Sequence, residues 1–503
     1  MAMASVAQTL QAVMAIDPAA PAVEFQRQWI SWGVLDAQVR AIDSLVTHSG
    51  LGPGTRVGIL LRNRPPQLAA MLAAIVSSRC MVTLNPVLPD DKLLDDLSTL
   101  QLPVVIGERS EFERPGVLEA LRAAGSAVIA LADDITQLPA FVPGLEKPRG
   151  ERLRREQPGV IVEMLSSGTT GKPKRIPMHT RAFEMGFAAG QAYEKGGADA
   201  RPQLRSGTMI LTLPFTHISG LWTPIQCIAG GRKCCLMERF KVDDWHDAVK
   251  RHRPRMFAGP PTMLRMLLDA KLPKEDLASL LALRTGTAPL DPAVADEFYQ
   301  RYGIPVLQNY GATEFAGAVA GWSIEDFKRH RQDKRGAVGR LQAGVEARIV
   351  DLQSFEPLEP GRDGLLELRG AQLGDATAWT RTTDRAILDA DGFLFITGRA
   401  DNAILRGGFK IHPDEVVKVL EGHPAIKEAS VVGLKDERLG EVPVAALIAN
   451  AGVPQPGKEE LNAYLRSRLT AYQIPVEFRF VDELPRTPSM KVSQPAVRAL
   501  FRQ

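Results

Sequence analysis

The sequence predicts an α/β protein with a large N-terminal domain of layered α/β subdomains, a β-rich subdomain after them, and a small α+β domain at the C-terminus. Three observations carry this expectation. Short β-like runs alternate with helical stretches through most of the chain, the helices thin out from about Gly336, and mixed patterning returns after Gly398-Arg399. The N-terminal MAMASVAQTLQAVMAIDPAA lacks the basic start of a signal peptide and ends at Asp17-Pro18, so it reads as a first helix. Strand-like residues 57–61 and helix-like residues 66–78 follow, then a strand at 104–106, a helix at 118–124 and a strand at 127–131. The apolar stretch 67–81 follows Arg62, Asn63, Arg64 and two prolines and contains Arg79, which leaves it short of a membrane span. Residues 147–157 are charged and aperiodic, a loop that delivers the chain to an apolar strand at 160–165. Strands at 208–213, 256–258 and 306–309 and a helix at 262–269 form a second α/β stretch. The β-rich part shows in 347–351, 364–369 and 392–397. After it come a helix at 413–420, strands at 429–434 and 444–449 and a helix at 459–469. The change of pattern near 398–402 divides the chain into 1–400 and 401–503.

Composition narrows the function classes. The 503 residues carry 61 Lys plus Arg against 58 Asp plus Glu, a net charge of +3, with 45% hydrophobic and 24% charged residues. That profile excludes disorder, collagen and coiled coil, and permits a large core. No Lys/Arg-rich block interleaved with aromatics appears, so no nucleic-acid partner is expected. The cysteines Cys80, Cys227, Cys234 and Cys235 form no CxxC pair, which suggests neither a zinc site nor a disulfide framework. A soluble, cytoplasmic protein in a reducing compartment is the expectation.

The most informative segment is Ser166-Ser167-Gly168-Thr169-Thr170-Gly171-Lys172-Pro173-Lys174, directly after the apolar run at 160–165. Glycines that expose backbone N–H groups, four hydroxyls and two lysines suit a polyphosphate. A polar surface turn is the alternative. The segment is not a Walker loop, because only two residues separate Gly168 from Gly171 and a proline follows Lys172.

The phosphate-loop segment resembles that of the adenylate-forming superfamily of acyl-CoA synthetases, luciferases and peptide-synthetase adenylation domains. Further segments match that family in order: LGPGTRVGILLRNRP from Leu51, LPFTHISGL from Leu213, GTAPL from Gly286, NYGATE from Asn309, TTD from Thr382, GRADNAILRGGFKIHPDEV from Gly398 and PRTPSMK from Pro485. Arg175, Thr383 and Met490 stand where the family has glycine.

The resemblance implies roles residue by residue. Ser166, Ser167, Gly168, Thr169, Thr170, Gly171 and Lys174 would cradle the β- and γ-phosphates of ATP, and Gly286, Thr287, Ala288 and Pro289 would wall the adenine. In the Asn309 segment, Tyr310 would stack on the base with Gly311 beside it, Thr313 would meet the α-phosphate and Glu314 would hold Mg²⁺. Asp384 would take both ribose hydroxyls with Arg399 as second contact. The acid would lie against His217 and Trp222, with Phe315, Ala316 and Gly317 at the pocket floor. Lys491 would bridge acid and α-phosphate, Asp401 would be the hinge of a mobile C-terminal domain, and Gly407 and Gly408 would let the pantetheine of coenzyme A pass. The implied activity is ligation of a carboxylic acid to CoA through an acyl-adenylate, with ATP, Mg²⁺ and CoA as partners; a homodimer is compatible with it. Two other readings stay open: transfer of the acyl group to a separate carrier protein or an amine, and a non-catalytic nucleotide-binding homologue.

Overall fold

A computed structural model describes residues 5–150, 156–165, 175–192, 202–286, 288–315, 317–373, 377–400, 403–406, 409–436, 439–487 and 490–501. The helix Val6–Met14 begins at Ser5, whose hydroxyl accepts from Gln8 N while the Gln8 side chain reaches back to the cap. Its buried Val6, Leu10, Val13 and Met14 recur at helical spacing and anchor the amino end in the largest core.

The apolar stretch at 67–81 resolves into two elements, the helix Pro65–Val76 and the strand Cys80–Leu84. Between them Ser78 adopts φ +55°, and Arg79 turns inward to Thr47 Oγ1 at 2.8 Å, the Leu51 carbonyl at 3.1 Å and the Asp43 carboxylate. A charge buried in this way needs such partners. The strand belongs to a seven-stranded sheet in the order Ala140–Phe141, Ala127–Leu131, Val104–Glu108, Arg56–Leu60, Cys80–Leu84, Val160–Leu165 and Arg175–His179. The inner strands are parallel, as the alternation predicts, and both edge strands are antiparallel.

A nine-stranded sheet follows. Three parallel strands, Met256–Gly259, Ala282–Thr285 and Val306–Ala312, continue into an antiparallel set formed by Gly317–Gly321, Gly339–Leu341, Phe393–Arg399, Thr380–Leu388, Asp363–Gly370 and Val345–Val350. This set is the β-rich subdomain, fused to the α/β part through one sheet. A four-stranded sheet, Arg205–Leu211, Arg232–Leu236, Pro21–Phe25 and Gln28–Ser31, joins the amino end to the middle of the chain. Cys234 and Cys235 lie buried on its second strand, and all four cysteines are free and buried.

The small C-terminal domain has its own sheet. Phe409–Ile411, Ile404–Arg406, Gly440–Ala449 and Ile426–Asp436 are adjacent in that order, with Glu477–Phe480 also on Gly440–Ala449. Helices Pro413–Glu421 and Lys458–Arg466 cover one face through Val416, Leu420, Leu461 and Leu465. Among the described residues, contacts between this domain and the large one include Arg265 Nη1 donating to the Lys427 carbonyl at 3.1 Å, Lys427 Nζ with Asp269 at 2.8 Å, Arg385 with Glu415 at 3.2 Å, and the Arg399 backbone N–H with the Asp414 carboxylate.

Candidate active site

The phosphate-loop segment lies outside the described residues, but both of its ends are fixed. Leu165 closes one strand and Arg175 opens the next, and the two are directly paired across the ladder. Arg175, in place of the family glycine, donates to the Thr83 carbonyl at 3.0 Å and pairs with Asp96 at 2.7 Å. Burial lowers its pKa and Asp96 opposes that shift. The added side chain therefore ties the loop's exit to the helix Asp90–Leu100.

A cavity of about 1300 Å³ opens between the sheets. His217, Trp222, Gly286, Asn309, Gly317 and Lys491 all line it. The strand Val306–Ala312 runs on past the expected end at 309, because Asn309, Tyr310, Gly311 and Ala312 pair with Gly317–Gly321 across the turn Thr313–Phe315. A Cβ on Gly286 would stand 2.1 Å from Asn309 Oδ1 and 3.0 Å from the Asn309 carbonyl oxygen, so any larger residue there would displace the Asn309 amide. Ala288 is half-buried and Pro289 exposed. Trp222 is held edge-on against Phe183 at 4.4 Å between centroids.

On the nucleotide side, Asp384 and Arg399 face each other on neighbouring strands, with Arg399 Nε 3.9 Å from Asp384 Oδ1. Tyr310 Oη donates to Asp384 Oδ2, and burial together with this carboxylate raises the tyrosine's pKa. Thr383, where the family has glycine, accepts from Arg399 Nη2 at 2.7 Å. The sequence departure thus supplies a hydroxyl that steadies the second expected ribose contact. Glu314 is exposed, and among the described residues no partner pairs with it.

Lys491 enters the cavity from the C-terminal domain. A tight turn carries it: Met490 N donates to the Thr487 carbonyl at 2.8 Å, Thr487 N to the Lys491 carbonyl at 2.7 Å, and Arg486 grips both Glu428 oxygens at 2.7 Å. Burial and then Arg399 lower the lysine's pKa, while Glu314 and Asp384 raise it. His217 is pushed down to about 4 by burial and then by Lys491, so its ring is neutral at pH 7. Met490 sits at φ +64°, a left-handed conformation that favours glycine. Met490→Gly is expected to raise the stability of the C-terminal domain by about 1 kcal/mol, with Met490→Ala giving no such gain. Denaturant titration of the full chain checks this, and equal midpoints for the two variants would refute it.

One expected pocket residue is placed elsewhere. Phe315 is 5% exposed and packs into the core with Val319, Ala320 and Leu366, because the turn Thr313–Phe315 directs it inward; Gly317 and Ala318 line the cavity instead. Thr287, Ala316, Asp401, Gly407 and Gly408, like the segment 166–174, lie outside the described residues, as does the side chain of Thr313. Sequence reasoning missed Arg284, which lines the cavity two residues before Gly286 on the same strand face. Position parity within a strand was the available signal. It also missed the cluster of Glu24, Cys235 and His252, three residue types that bind metals. There, however, Arg251 Nη1 lies 2.6 Å from Glu24 and 3.0 Å from His252, so a guanidinium already supplies the positive charge.

Comparison with known proteins agrees with this geometry. Residues 10–375 match the AMP-binding enzyme family, and residues 415–491 match the AMP-binding enzyme C-terminal domain. The 2-succinylbenzoate–CoA ligase of Bacillus velezensis is 31% identical over 466 residues, covering 89% of this chain and 88% of that protein. A fatty acid–[acyl-carrier-protein] ligase of Streptomyces coeruleorubidus is 28% identical, covering 96% and 94%. The structure of o-succinylbenzoate CoA synthetase from Bacillus subtilis with its acyl-adenylate intermediate superposes with a TM-score of 0.76 at 26% identity, covering 97% of both chains. The same protein is known in complex with ATP and magnesium ion.

Proposed function

The chain belongs to the AMP-binding enzyme family, and we propose that it is an ATP-dependent carboxylic acid:CoA ligase working through an acyl-adenylate. The observation that carries this reading is Lys491 of the small domain inside the cavity of the large one, in the field of Glu314, Asp384 and Arg399 and beside His217. In the first half-reaction a carboxylate oxygen attacks the α-phosphate, and the bond to pyrophosphate breaks. Negative charge gathers on the phosphoryl oxygens, and the Lys491 ammonium offsets it while holding acid and phosphate in line. Neutral His217 closes the acid side without adding a charge there. Asp384 and Arg399 hold the ribose, and the backbone at Gly286 leaves room for a flat base beside Asn309. The segment 166–174 would take the β- and γ-phosphates.

The exposed carboxylate of Glu314, which has no pairing partner among the described residues, fits a Mg²⁺ site of the kind that uses one carboxylate plus phosphate oxygens. The ion would supply neutralisation of phosphate charge. Glu314→Gln is expected to lower activity and to recover part of it at raised Mg²⁺, which a Mg²⁺ titration of initial rates measures. An unchanged Mg²⁺ dependence would remove Glu314 from the site.

In the second half-reaction the sulfur of the CoA thiol, losing its proton to solvent, attacks the acyl carbon; the bond between that carbon and the phosphate oxygen breaks, and AMP leaves. For this Lys491 must withdraw, and the division at 400/401 with Asp401 as pivot is the proposed means, bringing Gly407 and Gly408 to the pantetheine. Polar contacts of this kind between the two domains suit an interface that breaks and re-forms. A cytoplasmic location and a homodimer belong to this same reading; no described helix is long and apolar enough to cross a membrane. The carrier-protein ligase among the relatives favours the second reading, in which a separate carrier thiol replaces CoA. Release of pyrophosphate with a matching acid, followed by release of AMP only when CoA is added, tests the first reading. AMP release with a carrier protein and none with CoA would favour the second.

A further inference from the structure

The segment from Leu51 belongs to the seven-stranded sheet, yet its Asn63 reaches across to the turn that carries His217. Asn63 sits in the short link between the strand Arg56–Leu60 and the helix Pro65–Val76. That link is pinned on both sides of it. Arg62 pairs with Glu111 at 2.5 Å, and Arg64 bridges Glu108 at 3.0 Å and Glu238 at 2.9 Å. Pro65 and Pro66 then fix the first turn of the helix. With its neighbours held, the buried Asn63 side chain makes three hydrogen bonds, all to backbone. Its Nδ2 donates to the Leu213 carbonyl at 2.9 Å and to the Met237 carbonyl at 3.3 Å, and its Oδ1 accepts from Phe215 N at 2.9 Å. Both amide protons and the oxygen are used, and a flipped amide would set its oxygen against two carbonyls.

These partners surround the ends of two paired strands, Arg205–Leu211 and Arg232–Leu236, where the chain leaves the first of them for the helix Ile218–Ala229. In this exit His217 N donates to the Pro214 carbonyl at 2.9 Å and closes a turn. His217 is the residue that begins the helix, but its ring makes no capping hydrogen bond and lines the cavity instead. Gly220 presses on the turn from the other side: a Cβ there would stand 1.9 Å from the Pro214 carbonyl oxygen and 2.7 Å from that of Leu213. Phe215, in the middle of the turn, is buried in the core. The turn is therefore held between the Asn63 amide and the Gly220 backbone, and its position reaches the reaction centre, where the Lys491 charge acts on the His217 ring.

We propose that Asn63 is a positioning residue for the acid side of the reaction centre, fixing the turn Pro214–His217 and through it the His217 ring that closes the acid pocket. This rests on the ligase reading and adds to it the device that sets the pocket wall. Asn63 itself touches neither acid nor nucleotide. Its amide joins the backbone at Leu213, Phe215 and Met237 to the link at 62–64, so the wall is placed by a part of the chain remote in sequence.

Asn63→Asp tests this, because it keeps the size and the acceptor for Phe215 N but turns both donors into an oxygen that faces two carbonyls. The wild type is first assayed for CoA-dependent AMP release with acetate, hexanoate, dodecanoate, adipate and benzoate, and the acid turned over fastest is carried through. Asn63→Asp is expected to lower kcat/KM for that acid by about ten- to a hundredfold, since a displacement of about 1 Å at a reacting centre has effects of that order. KM for ATP should stay within about twofold of the wild type. In the His217→Ala background the same substitution should add no further loss for the acid, because the residue it acts through is gone. Gly220→Ala, which displaces the turn from the helix side, should give the same split and the same coupling to His217, and it carries the comparison if Asn63→Asp does not fold. Equal losses for acid and ATP, losses that multiply in the double variant, or an unchanged kcat/KM for the acid overturn the proposal and leave the ligase reading standing. Pyrophosphate release with none of the five acids would count against the ligase reading itself and take the proposal with it.

Discussion

Lys491→Ala is expected to lose adenylate formation by on the order of 10² to 10³ in rate, the usual cost of removing one electrostatic donor aimed at a transition state. Thioester formation from synthetic acyl-adenylate and CoA should stay near the wild-type rate, because in the proposed domain rotation Lys491 leaves the cavity it lines here before the thiol attacks. The two half-reactions are measured separately in single turnovers. Equal loss in both would count against withdrawal of Lys491 between the steps. The pH dependence is a second signature. Burial and Arg399 hold the lysine's pKa below the ordinary value of 10.5, so the ammonium loses its proton earlier as pH rises. Adenylation should therefore fall on the alkaline side before an exposed lysine would titrate, and thioester formation should not follow it. His217, neutral above about 4, contributes no limb to either profile near neutral pH.

The alternation of strand and helix patterns was legible in the sequence because it is a local property. Residues 104–106, 127–131 and 160–165 read as strands from their apolar runs, and the structure extends or reproduces each of them. Long-range pairing was not legible. The strand Pro21–Phe25 lies beside Arg232–Leu236, and nothing within either segment names the other. The helix read at 66–78 appears as Pro65–Val76, and Ser78 at φ +55° with the inward-turned Arg79 marks the break before the buried strand Cys80–Leu84.

The candidate site divides in the same way. Motif residues such as His217, Asn309 and Lys491 could be named from order alone, and they come together at one cavity. Phe315 could not be placed, because whether a residue in a short helical turn faces cavity or core depends on the strand that follows. Arg284 was passed over because it precedes its motif by two positions, and only strand parity brings it to the same face as Gly286. The departures from family glycines have three different physical consequences: Arg175 gains an ion pair, Thr383 gains a hydrogen bond to Arg399, and Met490 gains a strained backbone.

Asp384→Ala is expected to lower kcat/KM for ATP by on the order of 10² to 10⁴, since two hydrogen bonds to a charged acceptor contribute about 1.5 to 3 kcal/mol each. Stability should also fall by about 1 to 3 kcal/mol, because the buried Tyr310 hydroxyl is left without its acceptor. The two effects are separable. Tyr310→Phe removes the hydroxyl but keeps the carboxylate, so it should cost less than tenfold in kcat/KM, on the order of one neutral hydrogen bond. In the double variant the stability loss of Asp384→Ala should largely disappear, because no orphaned hydroxyl remains, while the ATP defect persists. The ligand supplies the last control: wild type should discriminate against 2′-deoxy-ATP, and Asp384→Ala should treat it and ATP alike. If Asp384→Ala kept the wild-type discrimination, the carboxylate would not hold the ribose, and its pairing with Tyr310 and Arg399 would be a structural tie between the strands Val306–Ala312, Thr380–Leu388 and Phe393–Arg399. If discrimination is lost together with kcat/KM for ATP, the hydrogen bond from Tyr310 is what holds one carboxylate oxygen in place while Arg399, steadied by Thr383, holds the other side of the site.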